Sequence, residues 1–248
     1  MTERLYLEDA YLTRAEASVT AHTPEGGIIV DRSVFYPTGG GQPGDSGRIE
    51  WTDGAGRAAQ MQIATAIKPD AFAIALIPAE PRTLPPVGAR ISQVIDADRR
   101  LGHMRVHTAL HLLSVVLPLP VTGGAVGADK GRLDFDMAEP PEDKTALEGD
   151  LNALIWRDLP VRADWITDAE LQAKPALVKT MSVAPPMGEG RVRLIRIGED
   201  DRDPVDLQPC GGTHVNTTGE IGAIRIGKIE KKGRQNRRVY IHLSAQDR

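Results

Sequence analysis

The spacing of apolar positions along this chain changes character near residue 95. Before that point, short pieces alternate apolar and polar residues and are broken by Gly and Pro: GGIIVDRSVFY (26–36), GRIEW (47–51), AAQMQIATAI (58–67) and AFAIALIP (71–78). A period of two between turn residues predicts strands, here of a small β-rich, barrel-like unit. Four prolines between Pro78 and Pro86 then exclude a helix interior and suit a connection between domains. A boundary near residue 90 follows, with domains at 1–90 and 91–248. Over 96–117 the period becomes helical: Leu101, Met104, Ala109, Leu112, Leu113 and Val116 recur at steps of three and four before Pro118. A second helix is predicted over 141–156, with Pro141 at its start and Ala146, Leu147, Leu151, Leu154 and Ile155 on one side. Strand-like pieces follow at RVRLIRIG (191–198), EIGAIRIGKI (220–229) and RRVYIHLSA (237–245). The fold class expected is α+β, a barrel-like domain followed by a two-layer α+β domain.

Composition narrows the class of protein. The 248 residues are 41% hydrophobic and 26% charged, a globular mixture that supports neither disorder nor a fibrous repeat. No apolar run approaches the ~20 residues of a membrane-spanning helix, and the first ten residues, MTERLYLEDA, carry acids where a secretory signal would be apolar. A cytoplasmic protein without membrane attachment is expected. The net charge of −4 argues against coating nucleic acid by bulk electrostatics, yet 228–238 (KIEKKGRQNRR) holds six basic residues against one acid. That segment reads either as a phosphate-tracking strip or as a solvated hairpin.

Chemistry concentrates at two places. In the predicted helix, His103, His107 and His111 fall four residues apart along one stripe, a spacing that lets two imidazoles converge on an ion. Far downstream, PCGGTH separates the only cysteine, Cys210, from His214 by three residues, two of them glycine. Thiolate with imidazole favours zinc. The expected site is one zinc ion on His107, His111, Cys210 and His214, with His103 left as a surface or RNA-facing residue. Four protein ligands ordinarily close a zinc site, so catalysis requires either a fifth coordination position or a labile ligand. A third motif, GGGQPG, satisfies G-x-G-x-x-G at Gly39, Gly41 and Gly44, but Pro43 and Gly47 interrupt the helix that dinucleotide binding requires. No dinucleotide is expected. The glycines read as a tight loop that brings Gln42 toward the other domain or a ligand, or as a β-turn cluster with no ligand.

HTALHLL together with CGGTHVNTTGEIGAIRI resembles the editing domain of alanyl-tRNA synthetases, and FYPTGGGQPGDSG resembles the glycine-rich motif that precedes it. The resemblance runs from about residue 30 to residue 242, with no signature of an aminoacylation domain. It points to the free-standing alanyl-tRNA editing proteins (AlaX type), in the medium-length form. The threonyl-tRNA synthetase editing domain shares the His and Cys pattern but not GGGQPGD. The resemblance implies an aminoacyl-tRNA deacylase, expected to act as a monomer, that removes serine, and in a wider reading glycine, from the acceptor end of alanine tRNA. Zinc would either activate water or hold the substrate, and neither motif contains a carboxylate to act as general base. Alternatives are removal of serine from threonine tRNA, or a non-catalytic tRNA-binding module with structural zinc.

The same resemblance makes 121–136 (VTGGAVGADKGRLDFD) the segment lining the amino-acid pocket, with Thr122 as candidate reader of the seryl hydroxyl beside Gln42 of the glycine loop. An ordinary loop threonine is the competing reading. Candidate phosphate contacts are Arg99, Arg100 and Arg105 on the helix and Lys228, Lys231, Lys232, Arg234, Arg237 and Arg238 in the basic segment.

Overall fold

The structure is a computed structural model that describes residues 1–81, 83–179, 190–200 and 202–244. Arg82 of the proline-rich connection and Ala245 of the last strand-like piece lie outside the described residues. The chain is mixed α+β and divides into two compact units, Met1–Leu101 and a second from Gly102 onward.

The first unit contains strands β1 (Glu3–Arg4), β2 (Arg14–His22), β3 (Ile28–Val30), β4 (Arg32–Ser33), β5 (Gly47–Thr52), β6 (Ala58–Ile67), β7 (Ala75–Pro78) and β8 (Arg90–Ile95). Six of them close a barrel in the order β2-β3-β7-β6-β5-β8, every pairing antiparallel. Closure removes the exposed edges of a small sheet. Alternation does the rest: Met61 and Ile63 on β6 point inward between exposed Gln60, Gln62 and Ala64. A shift of register between Ile63 and Thr65 then turns Ala66 inward. Val19, Ile28, Val30, Ile49, Leu76 and Ile91 complete the interior.

The piece read as one strand at 26–36 is two short strands, because Asp31 interrupts it by accepting from the backbone N–H of Ser18. The glycine motif is a tight turn in which Gly39 and Gln42 exchange backbone hydrogen bonds around Gly40 and Gly41, both at positive φ (57° and 82°). The chain after it enters β5, a strand. Asp45, at the end of the motif, is buried. It accepts from the Tyr36 backbone N–H and pairs with the Arg100 guanidinium.

One helix, α1 (Ala97–Val116), crosses from the first unit's residues into the second's. The second unit continues with β9 (Val121–Val126), β10 (Lys130–Asp136), α2 (Lys144–Trp156), β11 (Val161–Thr167), α3 (Asp168–Ala173), β12 (Arg191–Ile197), β13 (Asp206–Pro209), β14 (Ile224–Lys231) and β15 (Asn236–Leu243). They form two antiparallel sheets, β14-β15-β10-β9 and β11-β12-β13. The predicted second helix starts three residues late, since Asp143 caps it by accepting from Thr145 and Ala146 N–H. The segment 121–136 is a β-hairpin, so Thr122 sits on a strand rather than in a loop. Gly131 on β10 explains how α1 packs there: a Cβ would lie 2.5 Å from Val106 Cγ1 and 3.1 Å from Leu110 Cδ1.

Candidate metal centre

Residues four apart on a helix share a face, so α1 delivers His107 and His111 to one place. The other pair comes from the turn after β13, where Gly211 and Gly212 let the chain curl between Cys210 and His214. One ligand atom from each of the four lies within 4.8 Å of all the others. Cys210 Sγ is 3.5 Å from His107 Nε2 and 3.3 Å from His214 Nε2. A tetrahedral zinc with bonds of about 2.0–2.1 Å to nitrogen and 2.3 Å to sulfur has S···N edges of roughly 3.5 Å, so these two edges are compatible with a zinc ion.

Neighbouring side chains fix the imidazoles. Thr108 Oγ1 donates to the Met104 carbonyl (2.9 Å) and therefore accepts from the His214 Nδ1–H (3.1 Å), leaving His214 Nε2 its lone pair. His111 Nδ1 stands 2.9 Å from Asp206 Oδ2. Asp206 is fully buried and also accepts from Lys179 Nζ (2.6 Å) and Gln208 Nε2 (2.8 Å). Gln208 Nε2 donates as well to Ser114 Oγ (3.3 Å). Arg193, buried on β12, donates to the carbonyls of Cys210 (3.1 Å) and Gly212 (2.8 Å), which pins the turn.

Charges follow from these contacts. Burial pushes the Cys210 thiol up, but the imidazoles of His107 and His214 outweigh it and hold the group well below its usual value. Burial opposes protonation of His111, yet Asp206 and the Cys210 sulfur overcome it and raise its pKa to about 9. Burial and then the neighbouring His107 keep His214 well below 6.5.

The other expected site residues have varied surroundings. His103 is not a surface histidine: it is 1% exposed, on the buried face of α1. Arg100 is no phosphate contact, because its guanidinium is buried against Asp45, Ala10 O and Val34 O. Arg237 is likewise buried and donates to the Ala138 carbonyl. Arg238 holds Asp134 through both oxygens (2.7 and 2.8 Å), and Lys228 pairs with Glu230 (2.7 Å). Arg99 donates to Gly44 O and Arg105 to Ile221 O. Lys231, Lys232 and Arg234 are exposed. Thr122 Oγ1 donates to Asp134 O (3.1 Å) and accepts from Asn236 Nδ2 (2.6 Å), while Gln42 is buried.

The family model described as Threonyl and Alanyl tRNA synthetase second additional domain matches residues 192–240, the span that holds Cys210 and His214. Relatives extend the likeness to the whole chain. Alanyl-tRNA editing protein AlaX-M of Methanosarcina acetivorans is 33% identical over 98% of this chain and 99% of its own length. That of Methanosarcina mazei is 34% identical over 98% and 97%. Alanine--tRNA ligase of Pyrobaculum arsenaticum is 32% identical over 93% of this chain and 25% of the ligase. The chain belongs to the AlaX-M family of alanyl-tRNA editing proteins.

Proposed function

We propose that this protein is a trans-acting aminoacyl-tRNA deacylase that hydrolyses the ester joining serine, and secondarily glycine, to the terminal ribose of alanine tRNA. The observation that carries the reading is the convergence of His107, His111, Cys210 and His214 within 4.8 Å, in a chain whose full-length relatives bear the alanyl-tRNA editing name. These four residues would hold zinc, which in such a site supplies Lewis-acid polarisation or hydroxide at neutral pH. Cys210 is held as thiolate by its imidazole neighbours, Thr108 orients His214, and Arg193 keeps the Cys210–Gly212 backbone in place.

Sparing alanine requires a hydrogen bond that only the seryl hydroxyl can make, since alanine fits wherever serine does. Thr122, whose own proton goes to Asp134 O, acts in this reading as the acceptor, and Gln42 belongs to the loop that meets the acceptor end. The exposed Lys231, Lys232 and Arg234 track phosphates. Among the described residues no helix is long and apolar enough to cross a membrane, and the reading places a monomer in the cytoplasm with its tRNA. Incubation with alanine tRNA carrying Ser, Gly or Ala, and with threonine tRNA carrying Ser, tests it. Selective loss of serine from alanine tRNA is expected; release only from threonine tRNA, or none at all, would overturn it.

A further inference from the structure

The sheet β11-β12-β13 has one face turned to the metal ligands. Directly opposed residues of antiparallel strands share a face, and residues two apart along a strand share it too. The register pairs Asp206 with Ile197, Gln208 with Ile195 and Arg193 with Trp165. Asp206, Gln208, Arg193 and Trp165 therefore stand on one face. Of these, Asp206 and Gln208 reach the His111 side of the centre and Arg193 reaches the Cys210 turn.

Trp165 differs from the other three. They are at most 8% exposed, whereas Trp165 is 42% exposed although it sits two strands, roughly 10 Å, from β13. Arg191, on the same face, places its guanidinium carbon 4.4 Å from the centre of the Trp165 ring. Trp156 is more exposed, but it ends α2 with no cation recorded over its ring among the described residues. An indole with a cation over it, open to solvent beside a hydrolytic centre, has the chemistry of a base-stacking platform: every nucleobase presents a π face, and a planar guanidinium stacks on bases as it does on indole.

We infer that Trp165 and Arg191 stack an unpaired base at the 3′ end of the RNA substrate. The inference rests on the deacylase reading for the identity of that RNA. Geometry favours it, because only a sugar ring and an ester linkage separate the terminal base from the reacting carbonyl, a reach comparable to two strand spacings.

The test uses the whole chain with the trinucleotide CCA as probe, beside an analogue lacking the terminal base. Stacking on one aromatic ring is worth enough that Trp165→Ala should raise the Kd for CCA roughly tenfold or more. Trp165→Phe should retain most of the affinity, and the KM for Ser-tRNA(Ala) should rise in Trp165→Ala with kcat held. Unchanged CCA affinity in Trp165→Ala, or equal binding of CCA and the abasic analogue, overturns the platform. A chain that deacylates no tRNA yet needs Trp165 to bind CCA would remove the deacylase reading and leave the platform standing.

Discussion

Replacing Asp206 by Asn tests how the buried carboxylate serves the metal centre. In the parent, two carboxylate oxygens accept from three donors: His111 Nδ1–H, Lys179 Nζ and Gln208 Nε2. An amide offers one oxygen, and its NH₂ must face one of those donors. His111 then loses the partner that orients it and makes its other nitrogen a stronger donor. Loss of such a partner costs about 10–100-fold in metal affinity, or about 1.4–2.7 kcal/mol. A second effect has the opposite sign. With a pKa of about 9, His111 in the metal-free parent holds a proton at pH 7, and expelling it lowers apparent zinc affinity there by about 100-fold relative to high pH. Without the carboxylate that pKa falls, so the variant suffers less proton competition at pH 7 than the parent does. The deficit of Asp206→Asn should therefore be largest at pH 9 and shrink by several-fold or more at pH 7. Competition against a chelator at both pH values measures it, with cobalt absorption as a check on ligand geometry. A deficit that is absent at pH 9, or that grows as pH falls, would refute the reasoning.

Other consequences follow from particular contacts. Cys210→Ala removes a thiolate ligand and should leave purified protein nearly free of zinc; full zinc content by metal analysis would contradict the site. Lys231→Ala, Lys232→Ala and Arg234→Ala together should weaken tRNA binding and flatten its salt dependence, whereas Arg237→Ala, which deletes a buried donor to Ala138 O, should lower Tm instead. Thr122→Val leaves Asn236 Nδ2 without its acceptor and removes the proposed partner of the seryl hydroxyl, at about 1–3 kcal/mol for an unpaired group. Serine hydrolysis should fall by one to two orders of magnitude and glycine hydrolysis far less, as single-turnover rates would show.

Much of this architecture was legible from spacing because spacing caused it. The residues 58–67 alternate, and β6 spans the same ten; the three-four rhythm after residue 96 is α1. The gathering of His107, His111, Cys210 and His214 was legible for the same reason, since four-residue steps on a helix and around a glycine turn bring donors together. What escaped has physical causes. In the hairpin of β9 and β10, Gly123 and Gly124 interrupt any period in β9 and Gly131 shortens the alternation of β10 to Leu133 and Phe135, and Gly131 is required by the approach of Val106 and Leu110. Asp206 and Gln208 lie four and two residues before Cys210, a same-face spacing that points to the site only once 206–209 is known to be a strand. Arg100 and Arg237 show the limit of counting charge: a cation looks the same in sequence whether it faces solvent or is buried against Asp45 or a row of carbonyls.

The most direct test of the account is single-turnover deacylation of Ser-tRNA(Ala) beside Ala-tRNA(Ala) by the zinc-loaded protein and by His107→Ala. Fast release of serine, slow release of alanine, and loss of the serine activity in the variant together with its zinc are expected. Equal release of both amino acids, or full serine activity in a zinc-free variant, would contradict it.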